Sequence, residues 1–251
     1  MKNLQDITQK IKEKHPLILN ITNMVTMDFI ANGLHSLGAS PLMSNAPKEI
    51  ADLLQITDAV IINIGTLHSE FIDLCLSTCK LANKLNKPII LDPVGVGASS
   101  YRTAMCKNLL NNFHIAIVRG NASEITALAG MPVITKGVDN AMKDPIAITQ
   151  IQELATKHAT TIVISGATDI VLNKHHTDTN AHGSALMPYI TGTGCLLSAI
   201  IGAFHTVIID PFDAAMAAVR FYGLCGEIAA TKAIAPGSFK IALLDALYQY
   251  G

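Results

Sequence analysis

The sequence contains no tryptophan, and aromatic residues make up only 5% of its 251 residues. Charged residues are also sparse at 15%, whereas hydrophobic residues reach 50%, so the interior must be built mainly from aliphatic side chains. This composition excludes intrinsic disorder, because disordered chains carry too few apolar residues to form a core. The length is sufficient for one large α/β domain.

No excess charge of one sign is present: 18 Lys and Arg against 19 Asp and Glu give a formal net charge of −1. Without a broad basic field, we do not expect the chain to bind nucleic acid. The arginines are few, namely Arg102, Arg119 and Arg220. Bidentate recognition of phosphate must therefore come from this short set.

The five cysteines lack the dense, even spacing of a disulfide-stapled secreted domain. We therefore expect reduced thiols and a cytoplasmic protein. Cys75 and Cys79 lie four residues apart on a predicted helix, where core packing is favoured over zinc binding.

No signal peptide or membrane span is expected. The first 15 residues contain no continuous apolar run. The apolar segment 195–209 is shorter than the roughly 20 residues that a bilayer requires, so we interpret it as a buried helix.

Short apolar runs alternate with helical patterns along the chain. The predicted strands are 17–21, 40–43, 59–63, 88–92, 115–118, 161–165 and 169–172, the last two forming a hairpin at one sheet edge. The predicted helices are 24–37, 47–55, 69–85, 101–111, 123–129, 145–158, 195–209, 212–231 and 239–248. We predict a mostly parallel central sheet flanked by helices, in one domain over residues 1–251.

The segment TGTGC (191–195) opens the long apolar helix with a Gly-Thr-Gly turn. Unpaired backbone N–H groups at such a helix start bind anions, so Gly192, Thr193, Gly194 and Cys195 form a candidate anion hole. The alternative is that Thr193 simply caps the helix.

Asp92 ends a predicted strand and precedes a proline. A carboxylate at a strand tip suits a hydrated Mg²⁺, although an Asp-Pro turn is an alternative.

The segment RGNASE (119–124) combines a helix start with two charged residues. Asn121 and Glu124 have the spacing of a capping box. Arg119, Glu124 and Asp92 together would also form a clamp for nucleotide phosphates and their metal, and we favour the clamp over plain capping.

Cys195 lies in the first turn of the helix, where the helix dipole is expected to lower the pKa of a thiol. It would then help to activate a nucleophile, whereas simple packing is the alternative.

Five blocks together resemble one family, the hydroxyethylthiazole kinases, which have the ribokinase-like fold. They are NMVTMDFIANGLHSLGASPLMS (23–44), NIGTL (63–67), LDPVGVGAS (91–99), RGNASEI (119–125) and TGTGC (191–195). Their order and spacing are specific, and the resemblance covers nearly the whole chain.

The resemblance implies a role in thiamine salvage, with Mg²⁺ and ATP-dependent phosphorylation of the primary hydroxyl of 4-methyl-5-(2-hydroxyethyl)thiazole. It implies a homotrimer with active sites at the subunit interfaces. The implied roles are ATP binding by Arg119 and Ser165, metal binding by Asp92 and Glu124, substrate binding by Met43, Gly192 and Asn23, and a catalytic position for Cys195.

Other functions fit the same fold. A kinase for another vitamin-type alcohol, a nucleotide-dependent hydro-lyase, and a catalytically silent binding module are the alternatives. The last is suggested by Cys195, where most ribokinase-like kinases place Asp. Asp92, Glu124 and Arg119 argue against it, because a silent module needs no clamp for metal and phosphate.

Overall fold

Strands and helices alternate over most of the chain in a computed structural model, which describes residues 2–131 and 145–251. The strands are β1 (Leu17–Ile21), β2 (Ser40–Met43), β3 (Ala59–Asn63), β4 (Ile89–Asp92), β5 (Ile117–Asn121), β6 (Thr161–Ser165), β7 (Asp169–Leu172) and β8 (Thr177–Asn180). The α-helices in these two ranges are α1 (Lys2–Lys14), α2 (Met27–Leu37), α3 (Ile50–Ile56), α4 (Ser69–Lys84), α5 (Ser100–Asn112), α6 (Ala122–Leu128), α7 (Pro145–His158), α8 (Thr193–His205), α9 (Pro211–Lys232) and α10 (Pro236–Tyr250). A single 3₁₀ turn, Met187–Tyr189, precedes α8.

The eight strands form one sheet in the order β2-β1-β3-β4-β5-β6-β7-β8. Neighbours from β2 to β6 are parallel, whereas β7 and β8 join as antiparallel strands. The central strands are buried and mostly apolar, as in AVIIN of β3, because helices cover both faces of the sheet. This confirms the predicted mostly parallel α/β sheet.

Two buried clusters fill the spaces on either side of the sheet. One joins the sheet to α1, α2, α8, α9 and α10, and the other joins it to α3 through α7. The chain therefore has three layers, helices, sheet and helices. The buried α8 is the apolar segment that the sequence singled out, and no helix in the described ranges is both long and apolar enough to cross a bilayer.

The parallel strands bring polar residues together at their carboxyl ends. Asn63 at the end of β3 lies opposite Asp92 at the end of β4, and Asn121 lies opposite Ser165. In open α/β sheets, ligands bind beyond this edge. The helices α2 and α8 begin at the same edge, so their first turns meet the polar strand ends.

Some predicted boundaries were wrong. The strand predicted at 115–118 is Ile117–Asn121, so Arg119 lies inside β5 and not after it. Strand β8 was missed because its sequence, TDTN, is polar and mostly exposed, and it takes the edge position predicted for β7. The helix predicted from residue 24 begins at Met27, and α8 begins two residues earlier than predicted.

None of the five cysteines is paired in a disulfide. Cys75 and Cys79 are buried in the core, as predicted.

Candidate active site

Gly192 begins the site by turning the chain into α8. It adopts a φ of 97°, and a β-carbon there would lie 2.9 Å from Thr26 Cγ2, so glycine is required. No side chain of the described residues caps this helix. The Thr193 hydroxyl donates instead to the carbonyls of Met187 and Ile190, at 3.0 and 3.2 Å. The alternative that Thr193 caps α8 is therefore wrong.

Arg119 reaches from β5 to the start of α8. Its guanidinium packs against Gly194, where a β-carbon would collide with Nη1. Nη2 donates to Ser165 Oγ, and that hydroxyl donates in turn to Gly120 O at 3.3 Å. Buried Nε has no hydrogen-bond partner among the described residues. A fixed cation thus lies beside the positive end of α8, which favours a polyanionic ligand.

Asp92 is fully buried next to this cation. Its Oδ2 accepts hydrogen bonds from Asn63 Nδ2 at 2.8 Å and from Ser198 Oγ at 2.9 Å. Its Oδ1 lies 3.9 Å from Arg119 Nη1 and has no hydrogen-bond partner in the described chain. Burial raises the pKa of Asp92 to about 6, although the positive charge of Arg119 opposes the shift.

Glu124 forms the predicted capping box. Its Oε2 accepts from the Asn121 amide at 2.8 Å, while Asn121 Oδ1 accepts from the Glu124 amide at 2.9 Å. Its Oε1 accepts from the Gly95 amide at 2.9 Å, which ties the loop after β4 to α6. The capping box is confirmed, whereas the clamp for phosphates and metal stays a prediction. The negative charge of Glu124 lies close enough to raise the pKa of Asp92.

Cys195 lies behind Gly194 in the first turn of α8, half-buried. The Asn23 side-chain amide donates to its sulfur at 3.5 Å. Burial raises the pKa of the Cys195 thiol, and the nearby charge of Asp92 raises it further. The expectation of a lowered pKa was therefore wrong, because the loss of solvent outweighs the helix dipole.

A cavity of about 670 Å³ opens at the start of α8 and extends toward α9. Of the residues predicted from the sequence, Arg119, Ser165, Thr193 and Gly194 line it. The remaining lining comes mainly from the hairpin between β6 and β7, segment 181–188 and one face of α9. The volume lies within the roughly 300–1,000 Å³ of typical ligand sites.

The other predicted residues lie outside this lining. Asn23, Gly192 and Cys195 form a corner at the start of α8, where Asn23 donates to the Cys195 sulfur and Thr26 contacts both Asn23 and Gly192. Buried Asp92 is joined to this corner through Asn63 and lies 3.9 Å from Arg119 of the cavity lining. Met43, at the end of edge strand β2, is partly exposed and packs against the core. Its register partner is Asn20 of β1.

No role was predicted for Asn63, Ser198 or Tyr222, although Asn63 begins the block NIGTL (63–67). Asn63 joins Asp92 to Asn23, and the buried Tyr222 hydroxyl donates to Thr193 O at 3.0 Å, which holds the first turn of α8. Asn63 had a detectable signal, because it is a polar residue at the end of an otherwise apolar strand. Ser198 and Tyr222 lie inside apolar helices and gave no comparable signal.

The sheet order and the site at the start of α8 define an α/β protein of the ribokinase-like class. The chain superposes on a ribokinase-like superfamily protein from Enterococcus faecalis V583 with a TM-score of 0.68 at 15% identity, covering 98% of this chain and 95% of that one. At this identity the likeness shows the fold alone.

Closer comparisons define the family. The model of the hydroxyethylthiazole kinase family matches residues 8–250. A relative from Carboxydothermus hydrogenoformans, named hydroxyethylthiazole kinase, is 42% identical over 248 residues, covering 99% of this chain and 92% of the relative. The structure of a hydroxyethylthiazole kinase protein from Pyrococcus horikoshii OT3 matches with a TM-score of 0.90 at 36% identity, over 99% of this chain and 94% of that one. The chain belongs to the hydroxyethylthiazole kinase family.

Proposed function

We propose that the protein phosphorylates the primary hydroxyl of 4-methyl-5-(2-hydroxyethyl)thiazole with ATP, in thiamine salvage, as one kinase domain. The observation that carries this proposal is the arrangement around the start of α8. A cavity lined by Arg119 opens there, and a corner formed by Asn23 and Cys195 lies at the same helix start but outside the cavity lining. Family membership supplies the substrate class, and the geometry accounts for how two substrates would meet there.

ATP would occupy the cavity, with its phosphates toward Arg119, Ser165 and the candidate anion hole of Gly192, Thr193, Gly194 and Cys195. The Thr193 N–H already donates to Ile190 O at 3.4 Å, so it would have to exchange this long hydrogen bond for the phosphate. The guanidinium and the helix start both favour negative charge. Tyr222 and Thr193 hold the first turn in place, so the amides need not reorganise as charge develops. The apolar wall, which includes Met187 and Val219, would accept the base.

Asp92 fits a Mg²⁺ ion, because its Oδ1 is a buried oxygen with no hydrogen-bond donor among the described residues. Magnesium keeps several waters and needs few protein ligands. Asp92 would hold the ion, and the nearby charge of Glu124 would strengthen the attraction, although backbone amides occupy both Glu124 oxygens. Bound there, the ion would neutralise charge on the polyphosphate.

Cys195 would orient the substrate hydroxyl beside Asn23 and Gly192. Because the pKa of the thiol is raised, we propose that it acts as a neutral hydrogen-bond partner and not as a thiolate base. Phosphoryl transfer tolerates this arrangement, since its loose transition state depends more on positioning than on early deprotonation.

The resemblance supports a homotrimer in which Met43 reaches the active site of a neighbouring subunit. The exposed Met24 and Val25 directly follow Asn23 of the proposed alcohol corner, and the partly exposed β2 pairs with β1, which precedes Asn23. Both surfaces would suit such contact. The free thiols support a cytoplasmic location.

A coupled assay of ADP release tests this function. We expect rapid release with the hydroxyethylthiazole and Mg·ATP, and slow release with pyridoxal. Rapid release with pyridoxal only, or dehydration of hydrated nicotinamide nucleotide, would assign the protein to one of the alternatives. The Arg119→Ala variant should raise the KM for ATP more than the KM for the thiazole.

A further inference from the structure

Buried hydrogen bonds cross the site from the alcohol corner to the phosphate side. The Asn23 side-chain amide donates to Asn63 Oδ1 at 2.9 Å, and the Asn63 amide donates to Asp92 Oδ2 at 2.8 Å. Asn23, Asn63 and Asp92 are 4%, 1% and 0% exposed. Because water is excluded from both bonds, each is stronger than a comparable bond at the surface.

The direction of both amides is fixed by neighbouring backbone donors. Asn63 Oδ1 also accepts from the Gly65 N–H at 3.0 Å, and Asn23 Oδ1 accepts from the Thr26 N–H at 3.2 Å. A flipped amide would turn its own NH₂ group toward these N–H groups. Each side chain therefore donates toward Asp92, which fixes the direction of both hydrogen bonds, whereas Asp92 Oδ1 has no hydrogen-bond donor in the described chain to hold it.

We propose that Asn63 is a positioning residue that couples the two substrate sites, so that the bound nucleotide strengthens the binding of the alcohol. This inference rests on the proposed function, since it places the alcohol beside Asn23 and the nucleotide beside Arg119. Asp92 Oδ1 would meet the metal-bound nucleotide, and this contact would fix the rotation of the carboxylate. Oδ2 then fixes Asn63, which fixes Asn23, so the alcohol meets a corner that is already ordered.

Ser198 provides a matched control. Its hydroxyl donates to the same Asp92 oxygen at 2.9 Å, and its other hydrogen bond, to Gly194 O at 3.5 Å, lies within α8. Removing this hydroxyl loosens Asp92 as removing Asn63 does, but it leaves the bond between Asn63 and Asn23 in place. The two variants therefore separate coupling from general support of Asp92.

Calorimetric titration of the full chain measures the coupling directly. The Kd of the hydroxyethylthiazole is determined with and without a saturating, non-hydrolysable Mg·ATP analogue. We expect the wild type to bind the alcohol at least about fivefold more tightly with the analogue. Asn63→Ser should reduce this ratio to within about twofold of one, whereas Ser198→Ala should keep the wild-type ratio.

By reciprocity, the alcohol must change the Kd of the analogue by the same factor, which checks the measurement internally. Asn63→Thr serves as the second variant where thermal unfolding shows that Asn63→Ser is not folded. A wild-type ratio near one, or a ratio that survives in the folded Asn63 variants, overturns the coupling role while ADP release still supports the kinase. A wild type that neither binds nor phosphorylates the alcohol overturns the proposed function, and the coupling with it.

Discussion

The surroundings of Cys195 determine the pKa of its thiol. The start of a helix lowers the pKa of an exposed thiol, but this thiol is half-buried and near the carboxylate of Asp92, so its pKa is raised instead. Hydrogen bonding to the substrate hydroxyl then becomes its proposed contribution.

Substitutions at Cys195 test that contribution. We expect Cys195→Ala to lower kcat by roughly tenfold, less than the loss of a full general base would cause. Cys195→Asp should retain or increase turnover, because a carboxylate is a better hydrogen-bond acceptor at neutral pH. Steady-state kinetics at saturating ATP provide the measurement. If kcat is the same in all three proteins, Cys195 has no part in the chemistry.

Asp92 should make the stability of the metal-free protein depend on pH. Its pKa is about 6 in the folded state against an ordinary 3.8, so between these values the folded protein binds more protons than the unfolded one. The free energy of unfolding should therefore fall as pH rises, by on the order of 3 kcal/mol from about pH 4 to about pH 7. Asp92→Asn should lack this component.

Urea unfolding at both pH values, without divalent metal, measures the effect. Asp73→Asn is the control, since Asp73 is exposed on α4. We expect the free energy of unfolding of Asp92→Asn to rise relative to that of the wild type as pH rises. The difference in free energy of unfolding between Asp73→Asn and the wild type should stay constant. If the free energy of unfolding changes with pH equally in Asp92→Asn and in the wild type, the burial of Asp92 does not govern this pH dependence.

The loops that follow β3 and β4 are joined to each other by one side chain of α5. Arg102 of α5 donates to the carbonyls of Ile64 and Gly65 in one loop, at 3.2 and 2.9 Å, and to Val94 O in the other at 2.8 Å. One guanidinium thus fastens the segments that follow Asn63 and Asp92. Its planar fork suits several carbonyls at once, which a lysine does not reproduce.

Arg102→Ala should therefore destabilise the protein by about 3 kcal/mol, because three carbonyls lose a charged donor. Arg220→Ala is the matched control: Arg220 pairs with Asp178 at 2.8 Å, both half-exposed, and such surface pairs contribute about 0–1 kcal/mol. Urea unfolding at neutral pH compares the two variants. Equal losses would mean that the loops do not depend on Arg102.

Much of the element order followed from the sequence because apolar strands and helical patterns are local signals. Strands β1, β2, β3, β6 and β7 have their predicted bounds, and the capping box of Asn121 and Glu124 is present. The missed features depend on contacts distant in sequence. Asn63 meets Asp92 only through parallel pairing, and segment 181–188 becomes a cavity wall only through packing on α9.

One region of the protein surface is apolar and has no covering element in the described chain. Met24 and Val25 are 65% and 71% exposed, directly after Asn23. Strand β2, which ends at Met43, forms an edge of the sheet with all four residues partly exposed. Exposed apolar groups and an open strand edge are features of an interface.

Mixing two variants that are each expected to bind one substrate weakly tests whether Met43 serves a neighbouring subunit. We expect Met43→Asp to raise the KM for the thiazole strongly, and Arg119→Ala to raise the KM for ATP. If each site combines its own Arg119 with the Met43 of a neighbour, a closed ring of randomly mixed subunits contains intact sites. An equal mixture, unfolded and refolded together, should recover about one quarter of wild-type activity at low substrate concentrations. A mixture no more active than the two variants measured apart would place Met43 and Arg119 in the same subunit's site, or Met43 outside the site altogether.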